Sequence, residues 1–273
     1  MEKKEVAVLA IQIGSIVDDF NHNLIKAERL ITYNLDKYKA DILILPEVWT
    51  CGWECSVFKS NAESLDNSRA IKFLGNIAKK YCVNVIGGSV ILDKGAGICV
   101  NASPVFSREG KLVAIYEKNH LFSYYGSDEN KFRTPGKNPV MVELDGVKIG
   151  LTICYDIRFP EIYRAYRMAG ADIMVNMAAW GASKKIPWDV MTASRAVENQ
   201  CYFVALTQSG NLKDGTQNLG HSMIIDYKGE ILSEITSGDG GIFAVIKLDE
   251  MYEFREKCTI LDDVKKNYEV ILK

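Results

Sequence analysis

The sequence predicts a single α/β domain in which two mixed β-sheets pack together with helices on the outside. Two patterns predict it. Short apolar runs of β type alternate with amphipathic helical stretches from end to end, and many of those runs pair as hairpins, which a simple doubly wound parallel sheet does not accommodate. No Pro/Ser-rich linker or internal repeat divides the 273 residues, so 1–273 is taken as one domain, with 249–273 as a C-terminal extension.

The elements follow in order. Residues 6–13 are an apolar run and the first strand. A helix over 23–38 places Leu24, Ala27, Ile31 and Leu35 near helical spacing. Residues 42–45 form a buried strand ended by Pro46, which has no N–H to donate to a ladder. A helix is predicted over 67–81 and a strand over 84–90. Strands 101–106 and 112–117 join at the turn Ser107-Arg108-Glu109-Gly110, and strands 140–144 and 147–153 join at Asp145-Gly146. Pro160 opens a helix that runs to Ala169. A strand over 173–176 and a helix over 188–200 come next. Strands 202–207, 223–226, 231–235 and 242–247 complete the chain, turning at Lys228-Gly229 and across 238–241.

Composition excludes several classes. Apolar residues are 48% and charged residues 25%, average for a globular chain that buries a core without disulfides or metals. Lysine plus arginine is 33 against 35 acids, a net charge of −2, so nothing points to nucleic acid, a membrane surface or a polyanion. The start of the chain lacks the long apolar stretch and small-residue cleavage site of a signal peptide, and no apolar segment approaches the ~18 residues of a membrane span. Seven scattered cysteines, an odd number, fit reduced thiols in a cytosol.

Three residues carry chemistry by their position. Cys154 stands where the apolar run 147–153 stops and a polar turn begins ahead of Pro160. That location is the mouth of an α/β sheet, where nearby backbone N–H groups favour a thiolate; a buried core cysteine is the plainer alternative. Glu47 lies just past the strand 42–45 among apolar neighbours, where partial burial suits a general base. Lys118 ends the strand 112–117 beside aromatics, as a fixed cation or an ordinary solvated charge. Each alone is weak. Together they put a thiol, a carboxylate and an ammonium at the tips of three strands.

Competing constellations are weaker. His120 and His221 have no orienting carboxylate nearby in sequence, so packing or supporting roles are expected for both. Cys51 and Cys55 are spaced C-x3-C with no matching pair, which argues against zinc. The Gly-x-Ser-x-Gly, P-loop and Gly-x-Gly-x-x-Gly motifs are missing.

The residues resemble the nitrilase superfamily of carbon–nitrogen hydrolases. The resemblance runs through Leu45-Pro46-Glu47, Tyr116-Glu117-Lys118-Asn119-His120-Leu121-Phe122 and Ile153-Cys154-Tyr155-Asp156-Ile157-Arg158-Phe159-Pro160-Glu161. It continues in Ser194-Arg195-Ala196-Val197-Glu198-Asn199-Gln200 and Gly220-His221-Ser222, so it spans nearly the whole chain. It implies a Glu–Lys–Cys triad of Glu47, Lys118 and Cys154. It also implies a second glutamate supporting the lysine, which falls on Glu129, with Asp128 adjacent as the alternative.

Tyr155-Asp156 after the cysteine, where true nitrilases carry Trp-Glu, resembles the ω-amidase branch. That branch hydrolyses the terminal amide of short dicarboxylic monoamides such as 2-oxoglutaramate or succinamate. The resemblance further implies an αββα sandwich, no metal or organic cofactor, and a homodimer or higher homo-oligomer whose dimer contact buries the helix 160–169 and is joined by 249–273. Arg158 is expected either to anchor the substrate carboxylate or to serve a structural ion pair, and Tyr155 and Trp180 to wall the pocket. Alternative functions are an N-carbamoyl amino acid or polyamine hydrolase, a catalytically silent binding scaffold and a redox sensor at Cys154.

Overall fold

The structure is a computed structural model, and it describes residues 5–124, 128–131, 133–212, 215–265 and 269–272. In chain order the elements are β1 (Glu5–Gln12), α1 (Phe20–Lys37), β2 (Ile42–Ile44), β3 (Glu63–Ser64), α2 (Arg69–Tyr81), β4 (Asn84–Ile86), β5 (Val90–Asp93), β6 (Cys99–Phe106) and β7 (Leu112–Glu117). Then come β8 (Val140–Leu144), β9 (Val147–Ile153), α3 (Pro160–Met168), β10 (Ile173–Ala178), α4 (Lys185–Asn199), β11 (Tyr202–Thr207), β12 (Ser222–Ile225), β13 (Ile231–Ile235), β14 (Gly240–Lys247) and α5 (Leu248–Lys257).

Two mixed sheets result, as expected. One runs β14-β1-β2-β4-β6-β5-β3 with β7 beside β6, and the other runs β13-β12-β11-β10-β9-β8. In each, parallel strands lie in the middle (β1-β2-β4 and β9-β10-β11) and antiparallel pairs flank them, with the two-residue β3 lying parallel to β5 at one edge of the first sheet. Alternation along β1 builds the layers. Val6, Val8 and Ala10 face the second sheet and share a core with Ile149, Leu151 and Val175. Leu9 and Ile11 face the other way, onto Ala27 and Ile31 of α1 and Leu74 and Ile77 of α2. Ile162 and Tyr163 of α3 and Trp188 and Ala196 of α4 cover the second sheet from outside. The order is therefore helix, sheet, sheet, helix.

Local chemistry sets the boundaries. Asp19 caps α1 by accepting from the His22 N–H at 3.0 Å, so the helix begins three residues before the apolar spacing predicts. Ser68 does the same for α2. The hairpin at Asp145-Gly146 has positive φ at both residues (52° and 83°), the type I′ geometry that the Asp-Gly pair favours. All of helix α5 but its first residue, Leu248, falls within the 249–273 extension. It docks on its own chain through buried Leu248 and Met251 and an Arg255 hydrogen bond to the Gln200 carbonyl. No described helix is long and apolar enough to cross a membrane.

One expectation fails in a way that matters for the site. Residues 84–90 are not one strand. The chain leaves the ladder after Ile86 and returns as β5 at Val90, both segments lying antiparallel to β6. Gly88 adopts φ +65°, and a Cβ there would sit 2.1 Å from the Pro46 carbonyl oxygen, a place no side chain fits. The break receives the segment that follows β2. Ser89 N–H donates to the Pro46 carbonyl, Val48 N–H to Ser89 Oγ, and the Trp49 indole N–H to the Gly87 carbonyl. An apolar run looks continuous in sequence whether or not another backbone crosses it.

Candidate active site

That docking fixes Glu47. Its side chain is fully buried and accepts three hydrogen bonds, from Lys118 Nζ and Asn101 Nδ2 at Oε1 and from the Ala179 backbone N–H at Oε2, each 2.9 Å. Gln208 Nε2 holds its carbonyl at 2.6 Å. The expected partial burial is in fact complete. The next residue, Val48, has φ 42°, an unusual conformation for a β-branched residue.

Lys118 follows the last residue of β7 and is likewise buried. Its ammonium sits 2.9 Å from Glu47 Oε1 and 2.9 Å from Glu129 Oε2, and 5.0 Å from the Trp53 ring centroid. Burial alone would lower its pKa, but the two carboxylates outweigh that and raise it, so the amine stays charged. Gly136 lies against this strand end, where a Cβ would meet the Glu117 carbonyl oxygen at 2.2 Å.

Glu129 also accepts from Arg133 Nη1 at 2.7 Å and from the Phe122 N–H at 2.7 Å. Burial would raise its pKa, and Lys118 and Arg133 reverse this and hold it below the usual carboxylate range. The neighbouring Asp128 turns instead to Lys131 at 3.0 Å. Of the two acids, Glu129 is the one beside the lysine.

Cys154 follows β9 with φ 49°, in a short helical turn, Cys154–Arg158. Such a strained backbone costs about 1–3 kcal/mol and persists only where surrounding structure imposes it. Asp156 imposes it here. Its buried carboxylate accepts from the Ile153 N–H at 2.9 Å, the Tyr116 hydroxyl at 2.6 Å and the His120 N–H at 2.9 Å. One side chain thus ties the cysteine turn to the strand that carries Lys118. The thiol itself departs from expectation. Burial, then the charge of Glu47, push it well above its ordinary pKa, and Lys118 only partly opposes them. The resting sulfur is a thiol, and losing its proton requires a base.

The structure therefore brings Glu47, Lys118, Glu129 and Cys154 together. Cys154 opens into a pocket of ≈ 840 Å³ walled by Tyr155, Trp180, Phe122 and Trp53, with Arg158 and Lys184 also on its surface. Arg158 lies 5.3 Å from the Trp180 ring centroid and makes no ion pair among the described residues. Tyr155 packs edge-on against Phe122 and Phe159. His120 and His221 are engaged by carboxylates rather than by the sulfur. His120 bonds Asp156 at 2.8 Å and stacks on Phe159, while His221 contacts Asp189 at 2.9 Å and Glu234 at 3.0 Å.

Three residues escaped sequence reasoning: Asn101, Asp156 and Arg133. Their one signal is polarity out of place. Asn101 interrupts the run Cys-Val-Asn-Ala in β6, and Asp156 stands three residues past a buried strand.

Comparison with known proteins agrees with this geometry. The carbon–nitrogen hydrolase family model matches residues 5–256. A 2-oxoglutaramate amidase of Bacillus subtilis is 35% identical over 247 residues, covering 90% of this chain and 93% of that protein. The omega-amidase NIT3 of Saccharomyces cerevisiae is 27% identical over 264 residues, covering 93% and 91%. The crystal structure of that yeast protein, described as a member of branch 10 of the nitrilase superfamily, superposes with a TM-score of 0.86 at 28% identity, covering 94% of this chain and 95% of its own. A CN-hydrolase superfamily protein of Xanthomonas campestris, 23% identical, shares the fold with a TM-score of 0.89 over 98% of this chain and 100% of its own. Family match, shared sandwich and converging buried groups lead to one conclusion: the chain belongs to the carbon–nitrogen hydrolase family.

Proposed function

We propose that the protein hydrolyses the terminal amide of a short dicarboxylic acid monoamide, of the 2-oxoglutaramate or succinamate type, and releases ammonia through a thioester on Cys154. The observation that carries this reading is the buried carboxylate–ammonium pair, Glu47 and Lys118, set beside a protonated thiol at the floor of a pocket. The relatives named as 2-oxoglutaramate amidase and omega-amidase support it.

The chemistry follows from the protonation states. Glu47 takes the thiol proton as Sγ bonds to the amide carbon, and the carbonyl oxygen gains the electron pair. Lys118 Nζ and the backbone N–H of Tyr155, in the first turn of a helical segment where N–H groups lack intrahelical acceptors, hold that oxyanion. One such preorganised donor contributes about 3–4 kcal/mol. Glu47 then hands its proton to the nitrogen, the C–N bond breaks, and ammonia leaves. Water, deprotonated by Glu47, attacks the thioester and restores the thiol. Glu129 keeps Lys118 charged and aimed, and no step calls on a cofactor.

Arg158 anchors the distal carboxylate from the Trp180 wall, because a guanidinium on the pocket surface that has no carboxylate partner among the described residues can pair with an anionic substrate. Ammonia release compared across 2-oxoglutaramate, succinamate, N-carbamoyl amino acids, N-carbamoyl polyamines and simple nitriles tests the substrate class. The monoamides should turn over fastest and without carbon dioxide; preferential release of carbon dioxide from a carbamoyl compound would move the protein to that branch. Arg158→Gln should raise KM for the anionic monoamides about 10–100-fold, the range of a lost charge-assisted pair, and leave an uncharged amide of similar length nearly unaffected. Equal effects on both would assign Arg158 a structural role instead.

The same reading includes a homodimer. Ile186 and Val190, one helical turn apart on α4, are 77% and 60% exposed, which supports pairing of two copies through that helix face. Light scattering should give twice the chain mass, and Val190→Glu should halve it; a monomeric wild type would reject the pairing.

A further inference from the structure

Outside the proposed triad and its supporting glutamate, one buried cation has no evident structural reason to be there. Arg133 is 4% exposed, and its side chain is completely enclosed. Glu129 is its one carboxylate partner among the described residues, at 2.7 Å. The rest of the guanidinium lies against rings, 3.4 Å from the Phe58 centroid and 5.6 Å from that of Trp53, and Nε and Nη2 find no hydrogen-bond partner among the described residues. Burying a charge with N–H groups unsatisfied is costly, and an apolar side chain would fill the same space at lower cost.

Charge counting supplies the reason. Glu47 and Glu129 bring two negative charges to a site with no water-exposed side chain, and Lys118 supplies one positive charge. Among the described residues, the other enclosed ionisable groups around them are the thiols of Cys154, Cys51, Cys55 and Cys99. Each has its pKa raised, first of all by burial, and so each is neutral. Asp18, Glu54, Lys59, Asp128 and Lys131 reach solvent, which screens their charges, and buried Asp156 is held on its own donors, Tyr116, His120 and the Ile153 N–H. Without Arg133 the cluster carries one uncompensated negative charge in a low-dielectric interior. The least costly remedy is to bind a proton on a carboxylate. A proton shared between Glu47 and Glu129 disables the base.

We propose that Arg133 is a positioning residue that keeps the cluster electroneutral and thereby leaves Glu47 unprotonated to receive the thiol proton. The inference rests on the amidohydrolase reading above. It also explains why the cation sits behind Glu129 and not in the pocket: it balances charge without competing with Lys118 for the oxyanion.

The test is the pH profile of kcat/KM for succinamate, alongside the rate of Cys154 alkylation by iodoacetamide, a readout that needs no amidase substrate. Arg133→Met should move the acid limb of both profiles upward by about one pH unit or more, as expected for a lost unit charge at such range in a protein interior. Arg133→Lys, which keeps the charge, should leave the limb within a few tenths of a unit of wild type while lowering the plateau. If Arg133→Met gives no folded protein, Glu129→Gln and Glu129→Gln/Arg133→Met carry the same comparison. The first leaves an excess positive charge and lowers the limb, and the second returns it. Profiles that superimpose after scaling, in either pair, overturn the inference and assign Arg133 to packing. Glu47→Gln separates the two levels: wild-type turnover there defeats the amidohydrolase mechanism itself, whereas lost turnover with an unmoved Arg133→Met limb defeats only this proposal.

Discussion

Cys154→Ala should abolish ammonia release, lowering kcat by about four orders of magnitude or more, while the protein folds as before. The size follows from covalent catalysis, in which removing the nucleophile of a cooperating set costs nearly as much as removing the set. The retained fold follows from the local structure. Asp156 and its three donors hold the turn without using the sulfur. Alanine meets the same φ of 49° that cysteine already tolerates, and a resting thiol carries no charge whose loss would unbalance Glu47 and Lys118. The destabilisation should be about 1 kcal/mol, the usual scale for one small buried group. Turnover within tenfold of wild type, with unchanged circular dichroism, would end the thioester mechanism. Alkylation adds a second reading in the wild type. A thiol with a base at hand should react with limiting iodoacetamide ahead of buried Cys51, Cys99 and Cys201, whereas a silent scaffold should label it no faster than the others.

The sandwich was legible because its hairpins announce themselves. Asp145-Gly146, Lys228-Gly229 and Ser107–Gly110 are all turns in the structure, and strands β8, β9, β11 and β13 have the predicted bounds. The convergence of Glu47, Lys118 and Cys154 was legible for a related reason: each stands one to three residues beyond an apolar run, and strand ends in α/β proteins gather at one edge. The failures share a cause as well. The break at Gly87–Ser89 exists because the Pro46 backbone passes through it, a contact between segments about 40 residues apart that leaves no periodic trace. The raised thiol was missed because nearby backbone N–H groups were set against no burial cost, and burial outweighs those dipoles. Arg133 stayed hidden because a basic residue in a loop looks solvated until the rings of Phe58 and Trp53 are placed around it.

Lys118 should prove the least replaceable residue of the site, failing in two different ways. Lys118→Met keeps a similar length and removes the charge, which leaves Glu47 and Glu129 facing each other with only Arg133 to offset them. Breaking a buried pair in this way typically costs about 3–5 kcal/mol, so the urea midpoint should fall sharply and turnover should vanish. Lys118→Arg keeps the charge and should still lose about a hundredfold to a thousandfold in kcat, the effect of a lost oxyanion donor. The native ammonium is a point charge equidistant at 2.9 Å from two carboxylate oxygens, under the Trp53 ring. A planar guanidinium is larger, directs its N–H groups along a fixed fork and cannot aim at both oxygens and at a substrate oxyanion from one place. Fitting it into a site with no exposed side chain adds about 1–3 kcal/mol of overpacking, so its stability loss should be the smaller of the two while its activity loss remains. The pair of variants thus separates charge from geometry. If Lys118→Arg were as active as wild type, a positive charge anywhere near the sulfur would suffice; if Lys118→Met were active, the oxyanion would be held by backbone N–H groups alone, and the Glu47–Lys118 contact would be a stabilising ion pair with no part in the reaction.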